Sequence, residues 1–210
     1  MPQQIDESLF RQAVRILGEG GLVIAPTETF YGILCDAWSQ KAVTRLLQLK
    51  GRGYGKPIPL IAGSAIIVRN VASEVPPVFR YLAREFWPGP LTLVLKAGKG
   101  FPRGITAGTG SIGIRIPAQS PALDLARFYR RPLTATSANF EGRPAQRCAR
   151  ELDRDLVRQV DLVIDGGWTP GMQPSTVLNL TTDPPSIIRH GALGDRVLEF
   201  LGRLPGNLGL

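Results

Sequence analysis

The chain of 210 residues is 43% apolar and 20% charged, with glycine and proline spread throughout, which excludes a disordered or fibrous protein. Lysine and arginine outnumber the acids 25 to 17, and the resulting formal charge of +8 favours an anionic partner such as a nucleotide, pyrophosphate or RNA without naming any chemistry. Cys35, Cys148 and the single His190 are too few for a disulfide framework, a zinc centre or a Cys/His nucleophile, so no metal site is expected.

The first residues lack a basic region followed by an apolar stretch, and the most apolar run, 58–68, is too short and interrupted to span a bilayer. A cytoplasmic protein without membrane contact is the expectation. Ile5, Leu9, Ala13, Ile16 and Leu17 recur at helical spacing behind Asp6 as N-cap, and Gly20-Gly21 ends the helix before a buried strand over 22–25. Ser39 caps a second helix with Ala42, Val43, Leu46 and Leu47 inward, and Gly51 suits its left-handed terminus. Further strands are predicted over 59–61, 91–95, 112–116, 133–135, 162–164 and 176–180, and helices over 78–86, 121–129, 147–160 and 195–201. Strands and helices alternate without a repeat, as in an α/β chain with a mixed sheet and flanking helices. Residues 1–210 contain no composition break that marks a linker.

Four constellations carry the polar chemistry. In Lys50-Gly51-Arg52-Gly53-Tyr54-Gly55-Lys56-Pro57, three cations and three glycines follow a helix end, a loop suited to polyphosphate although it is not a Walker A sequence. The bland reading is a set of cations complementing a helix dipole. The apolar strand before Thr136-Ser137-Ala138-Asn139 runs into hydroxyls and a carboxamide, either a ligand crevice or a plain turn. Pro26-Thr27-Glu28-Thr29-Phe30-Tyr31-Gly32 likewise ends a buried strand. On the strand over 112–116, Ser111, Gly113 and Arg115 share a face, and an arginine so placed wants an anion, either a ligand carboxylate or an internal acid. Arg143, Arg147, Arg150, Arg154 and Arg158 are spaced to follow one side of a helix or its lead-in, a solvated face or a surface for double-stranded RNA or tRNA.

Pro26-Thr27-Glu28-Thr29, Tyr31-Gly32, Lys50-x-Arg52, Trp87-Pro88-Gly89-Pro90-Leu91-Thr92, Gly113-x-Arg115-x-Pro117, Thr136-Ser137-Ala138-Asn139, Pro174-Ser175-Thr176-Val177 and Arg189-x-Gly191 follow one another in an order that resembles the YrdC/YciO family, over about residues 8–195. The resemblance implies a single YrdC-like domain, a twisted α/β sheet with a large basic concave cleft. It implies L-threonylcarbamoyladenylate synthesis, a nucleotidyltransferase reaction of L-threonine, bicarbonate and ATP that serves tRNA modification. Mg2+ would arrive with ATP. By motif position, Lys50 and Arg52 would act on the phosphates. Ser111, Asn139, Arg147 and Arg189 would complete the ATP site. Thr29, Arg115, Ser137 and Ser175 fall on the threonine side. The chain departs from the family pattern at Gly53, Ile61, Glu141, Asn179 and His190, so amino-acid specificity stays open. So do a YciO-like nucleotide-dependent activity, a non-catalytic RNA-binding role, and partnership with other tRNA-modification proteins.

Overall fold

The computed structural model describes residues 7–51, 53 and 55–204. Asp6 and Arg52, named above as a cap and a phosphate ligand, lie outside them. In chain order the strands are β1 (Val23–Pro26), β2 (Tyr31–Leu34), β3 (Leu60–Ile61), β4 (Leu91–Lys96), β5 (Ser111–Arg115), β6 (Leu133–Thr134), β7 (Thr136–Ser137), β8 (Leu162–Val163), β9 (Thr176–Asn179) and β10 (Ser186–Arg189). The α-helices are α1 (Glu7–Gly18), α2 (Gln40–Leu49), α3 (Val68–Val71), α4 (Val78–Phe86), α5 (Arg103–Thr106), α6 (Pro121–Tyr129), α7 (Arg154–Val157) and α8 (Gly194–Gly202). The mixed α/β architecture is as expected, but the strands divide between two sheets, ordered β7-β2-β1-β8 and β10-β9-β4-β5-β3-β6.

In the four-stranded sheet β1 pairs antiparallel with β2, Val23 opposite Leu34, and parallel with β8. Both β1 and β2 are buried at every residue. The chain enters β1 through Gly20, which adopts φ +81°, and through Gly21, where a Cβ would come within 2.5 Å of the Ile16 side chain and 2.9 Å of Asp161 Oδ2. Only glycine fits that crossing. Asp161 seals it by accepting the Leu22 N–H at 2.7 Å and Arg45 Nη1 at 2.5 Å. These contacts hold the Asp161 pKa low against the opposing effect of partial burial.

In the six-stranded sheet, β4 and β5 run antiparallel with Leu93 opposite Ile114, while β9 and β3 flank them in parallel. Leu91, Leu93, Leu95, Ile112, Ile114 and Leu178 enter a core shared with Val43, Leu46 and Leu47 of α2 and Phe79, Leu82 and Phe86 of α4. Alternation then sends Thr92, Gly113 and Arg115 to the opposite face. A second apolar cluster joins Val23, Ala25 and Leu34 to Ala13 and Leu17 of α1 and Ala122, Leu125 and Ala126 of α6. Residues 133–137 begin in the larger sheet as β6 and end in the smaller as β7, so the two sheets meet beside Ser137.

Three local expectations differ. β2 continues the polar segment that was read as a strand end. β10 was not predicted. The helix expected over 147–160 is a short 3-10 turn, Ala149–Glu151, and the single turn α7, because the Asp153 carboxylate caps the Asp155 N–H at 2.8 Å and starts a new turn there. The arginine stripe therefore does not ride on one helix.

Candidate active site

A cavity of about 520 Å3 opens where the sheets meet, within the size range of small-ligand sites. The turn between β1 and β2 supplies Thr27 and Thr29, β4 supplies Thr92, and the end of β5 supplies Arg115. Ser137 and Asn139 come from β7 and just beyond it, Ser175 from the entry to β9, Arg189 from β10, and Arg143 from the loop after Asn139. Among the described residues that line the cavity, three are arginines and none is acidic.

The Thr27 hydroxyl organises its own turn. It donates to Phe30 O at 2.8 Å and accepts the Thr29 and Phe30 N–H groups at 3.2 and 3.3 Å. Thr29 Oγ1 lies 3.0 Å from it. Thr29 Oγ1 accepts Arg115 Nη2 at 3.4 Å at the cavity wall.

Arg115 is 8% exposed and ion-pairs through Nη1 with Glu28 Oε1, itself 10% exposed, so the internal acid left open by spacing is Glu28. Burial raises the Glu28 pKa although Arg115 opposes the rise, and burial likewise lowers that of Arg115 against the pull of Glu28. Glu28 Oε2 is buried without a hydrogen-bond partner. A guanidinium has five N–H groups, so this pair leaves donors on Arg115 for an anion. Arg189 donates Nε to Ser175 O and Nη2 to Ser175 Oγ, both at 2.9 Å. Its pKa is lowered by partial burial and then by the nearby Arg115 charge, so two cations face one space. A register shift between Ile187 and Arg189 in β10 turns Ile188 outward and accompanies the seating of Arg189 on Ser175.

Lys50 is buried at the end of α2, where Gly51 adopts φ +58°. Its Nζ donates to Ser137 O at 3.0 Å, to Asn139 Oδ1 at 2.9 Å and to Asn139 O. These three acceptors match its three ammonium hydrogens, so a phosphate would have to exchange for one of them. Asn139 is further fixed by Ser137 Oγ and by donating Nδ2 to Arg143 O.

Thus Asn139, Ser137, Thr29, Arg115, Ser175 and Arg189 line one space, and Lys50 bonds to Ser137 and Asn139 without lining it. Two further expected ATP contacts, Ser111 and Arg147, also lie apart from its lining. Ser111 sits at the other end of β5, roughly 13 Å along the strand from Arg115 at 3.3 Å per residue, opposite Lys96. Arg147 donates Nε and Nη2 to Thr169 O at 3.2 and 2.8 Å and lies over the Trp168 ring. Thr169 in turn donates its hydroxyl to Thr29 O at 2.9 Å, so Arg147 braces the turn that carries Thr29. Arg143, read above only as part of a basic stripe, lines the cavity. Thr92 does too, and its place at the end of the Trp87 to Thr92 motif was the signal available.

A larger cavity of about 910 Å3 lies beside Glu28, walled by Phe10, Phe128 and Trp168. Its other charges pair among themselves, Arg11 with Glu7 and Arg127 with Asp124, so it presents no cationic centre. The smaller cavity is the better candidate for anion chemistry.

A family model described as Sua5_yciO_yrdC, telomere recombination, matches residues 15–191. The chain belongs to the Sua5/YciO/YrdC family. Within it, the threonylcarbamoyl-AMP synthase of Pyrococcus abyssi is 39% identical over 191 residues, which cover 91% of this chain and 56% of that protein. The mouse threonylcarbamoyl-AMP synthase is 37% identical over 206 residues, 94% of this chain and 72% of the mouse protein. The crystal structure of P. abyssi Sua5 complexed with L-threonine superposes with a TM-score of 0.91 at 37% identity, covering 96% of this chain and 60% of that one. E. coli YciO superposes with a TM-score of 0.80 at 28% identity, covering 91% and 93%. This member of the Sua5/YciO/YrdC family therefore spans just over half the length of its Pyrococcus relative. Among its described residues no helix is long and apolar enough to cross a membrane.

Proposed function

We propose that this chain is a threonylcarbamoyl-AMP synthase, converting L-threonine, bicarbonate and ATP to threonylcarbamoyl-AMP, pyrophosphate and water for tRNA modification. The observation that carries the proposal is the cavity itself, whose described lining has three arginines, no acid and a rim of hydroxyl and carboxamide groups, in a chain whose relatives of similar fold include a Sua5 complexed with L-threonine.

In the proposed reaction the threonine amine gives a carbamate, by condensing with bicarbonate and losing water or by adding to CO2 and releasing a proton. A carbamate oxygen attacks the α-phosphorus of ATP, the bond to the bridging oxygen breaks, and pyrophosphate leaves with that electron pair. No covalent bond to the protein forms. The protein's part is placement and charge stabilisation. Arg115, held on one side by Glu28, would present its remaining N–H groups to the threonine carboxylate. Thr29 Oγ1 would face the amine. Lys50 and Arg52 would stabilise charge building on the phosphates, Lys50 through the polar strand end it holds together. Asn139 and Arg189 would complete the nucleotide side. Mg2+ enters as the counter-ion of ATP. Among the described residues no group of three or more His, Cys, Asp and Glu could hold a metal.

The test is pyrophosphate release by the purified protein with ATP and bicarbonate, with and without each amino acid. Release that depends on L-threonine is expected. Release that is absent with every amino acid sinks the reading. Growth of a synthase-deficient cell on this gene separates a synthase from a YciO-like activity.

A further inference from the structure

Thr92 is 2% exposed, and among the described residues its hydroxyl has one hydrogen-bond partner, Ser175 Oγ at 3.0 Å. Ser175 Oγ also accepts Arg189 Nη2 at 2.9 Å. Each hydroxyl carries one proton and two lone pairs, and the contact between them uses a single proton. Two assignments remain. Were Ser175 to donate, the Thr92 proton would be left on a nearly inaccessible oxygen without an acceptor, which is costly. With Thr92 donating, the Thr92 proton and both Ser175 lone pairs are satisfied, and the Ser175 proton has nowhere to go but the cavity. Thr92 thereby makes Ser175 an obligate donor.

We infer that Thr92 is a positioning residue for the amino-acid subsite: it acts through Ser175 to present a fixed hydroxyl donor beside Arg189, matched to an acceptor oxygen such as a carboxylate oxygen of the substrate. The inference rests on the reaction proposed above. Its placement has a second structural support, because Gly113 on the neighbouring strand leaves room for the Thr92 methyl. A Cβ at Gly113 would lie 3.1 Å from Thr92 Cγ2. That face of β4 and β5 is cut to seat a threonine-shaped side chain with its hydroxyl directed at Ser175.

The experiment is steady-state kinetics of L-threonine-dependent pyrophosphate release, with thermal unfolding recorded for each variant. Thr92→Val keeps the shape and removes the donor. It is expected to raise KM for L-threonine about tenfold, the scale of one net hydrogen bond, while kcat and KM for ATP stay within about twofold. Thr92→Ser, which restores the donor, returns KM to within about twofold of wild type. Gly113→Ala, which presses on Thr92 from behind, raises KM in the same direction. Because Thr92 acts through Ser175, adding Thr92→Val to Ser175→Ala produces no further rise.

An unchanged KM in Thr92→Val overturns the inference. Equal damage in Thr92→Ser also overturns it, in favour of methyl packing, and so does an additive double variant. Should Thr92→Val fail to fold, the Thr92→Ser and Gly113→Ala measurements decide by the same criteria. Wild-type protein without threonine-dependent release overturns the proposed reaction and this inference together, whereas an active wild type with any of the preceding results overturns this inference alone.

Discussion

Removing the guanidinium of Arg115 while keeping its bulk, by Arg115→Leu, leaves the Glu28 carboxylate in a site that is nine-tenths buried and already has one oxygen without a partner. Breaking a buried pair from one side costs about 3–5 kcal/mol, because the surviving charge stays desolvated. Protonation limits that loss. Burial already raises the Glu28 pKa in the presence of Arg115, and without the arginine it rises further. A carboxylate whose folded pKa lies above its unfolded value favours the native state below the unfolded value, and that contribution is lost as pH rises through the folded pKa. Arg115→Leu is therefore expected to be most destabilising at pH 8 and milder at pH 5, by about 1.4 kcal/mol for each pH unit over which Glu28 holds its proton. Glu28→Gln in the same chain removes the pH dependence and recovers much of the stability. Urea titrations at the two pH values read both effects. An equal loss at pH 5 and pH 8, or a double variant no better than Arg115→Leu alone, would refute the assignment of Glu28 as the buried charge that Arg115 balances.

Lys50→Met strands the oxygens of Ser137 and Asn139 that its ammonium serves, so turnover is expected to fall roughly 10²-fold in the pyrophosphate assay, with a loss of about 1–3 kcal/mol in urea. Tyr31→Phe removes the hydroxyl that donates to Gly167 O at 2.7 Å and accepts the Gly166 N–H at 3.1 Å. It should cost about 1–3 kcal/mol and speed hydrogen exchange at 166–169 more than in α4, and uniform exchange would count against it. Asp161→Asn should destabilise the protein by about 1 kcal/mol at pH 7, a modest figure because the carboxylate is a third exposed. Its pKa is depressed, so the wild-type advantage is present above the unfolded value and fades as pH falls through the folded one. A difference that does not shrink as pH falls contradicts this. Burial lifts the Cys35 thiol to about 12, so it should resist alkylation at pH 8 in the native protein and react in urea, as read by mass spectrometry.

Elements with strong periodicity or clear caps were legible in the chain. Ser39 caps α2 by accepting the Ala42 N–H, Gly51 turns left-handed after it, and α4 and α6 lie where their apolar spacing puts them. β2 escaped because all four of its residues are buried, leaving no alternation to read. β10 escaped for the opposite reason, an edge strand following Pro184-Pro185 with little burial to pattern its sequence. The helix expected over 147–160 takes no account of a capping aspartate at position 153, which divides the segment. At the site, the polar motifs marked the correct chain segments, and spacing alone left the partner of Arg115 undecided. Glu28 was quoted within its motif but took no role, since a side chain beneath an arginine and one beside it look alike in one dimension. Thr92 was overlooked because a lone hydroxyl in an apolar strand resembles an ordinary β-branched filler.

Because the strand over 133–137 leaves one sheet and joins the other beside Ser137, the pocket has no local precursor. Its walls are complete only once both halves of the molecule have docked, and a fragment holding either sheet alone keeps only part of the lining. Whatever occupies the pocket thus acts as a clamp on the whole fold. Saturating ligand should slow cleavage by a protease as much at α1, which lies outside the pocket lining, as at β10, whose Arg189 belongs to it.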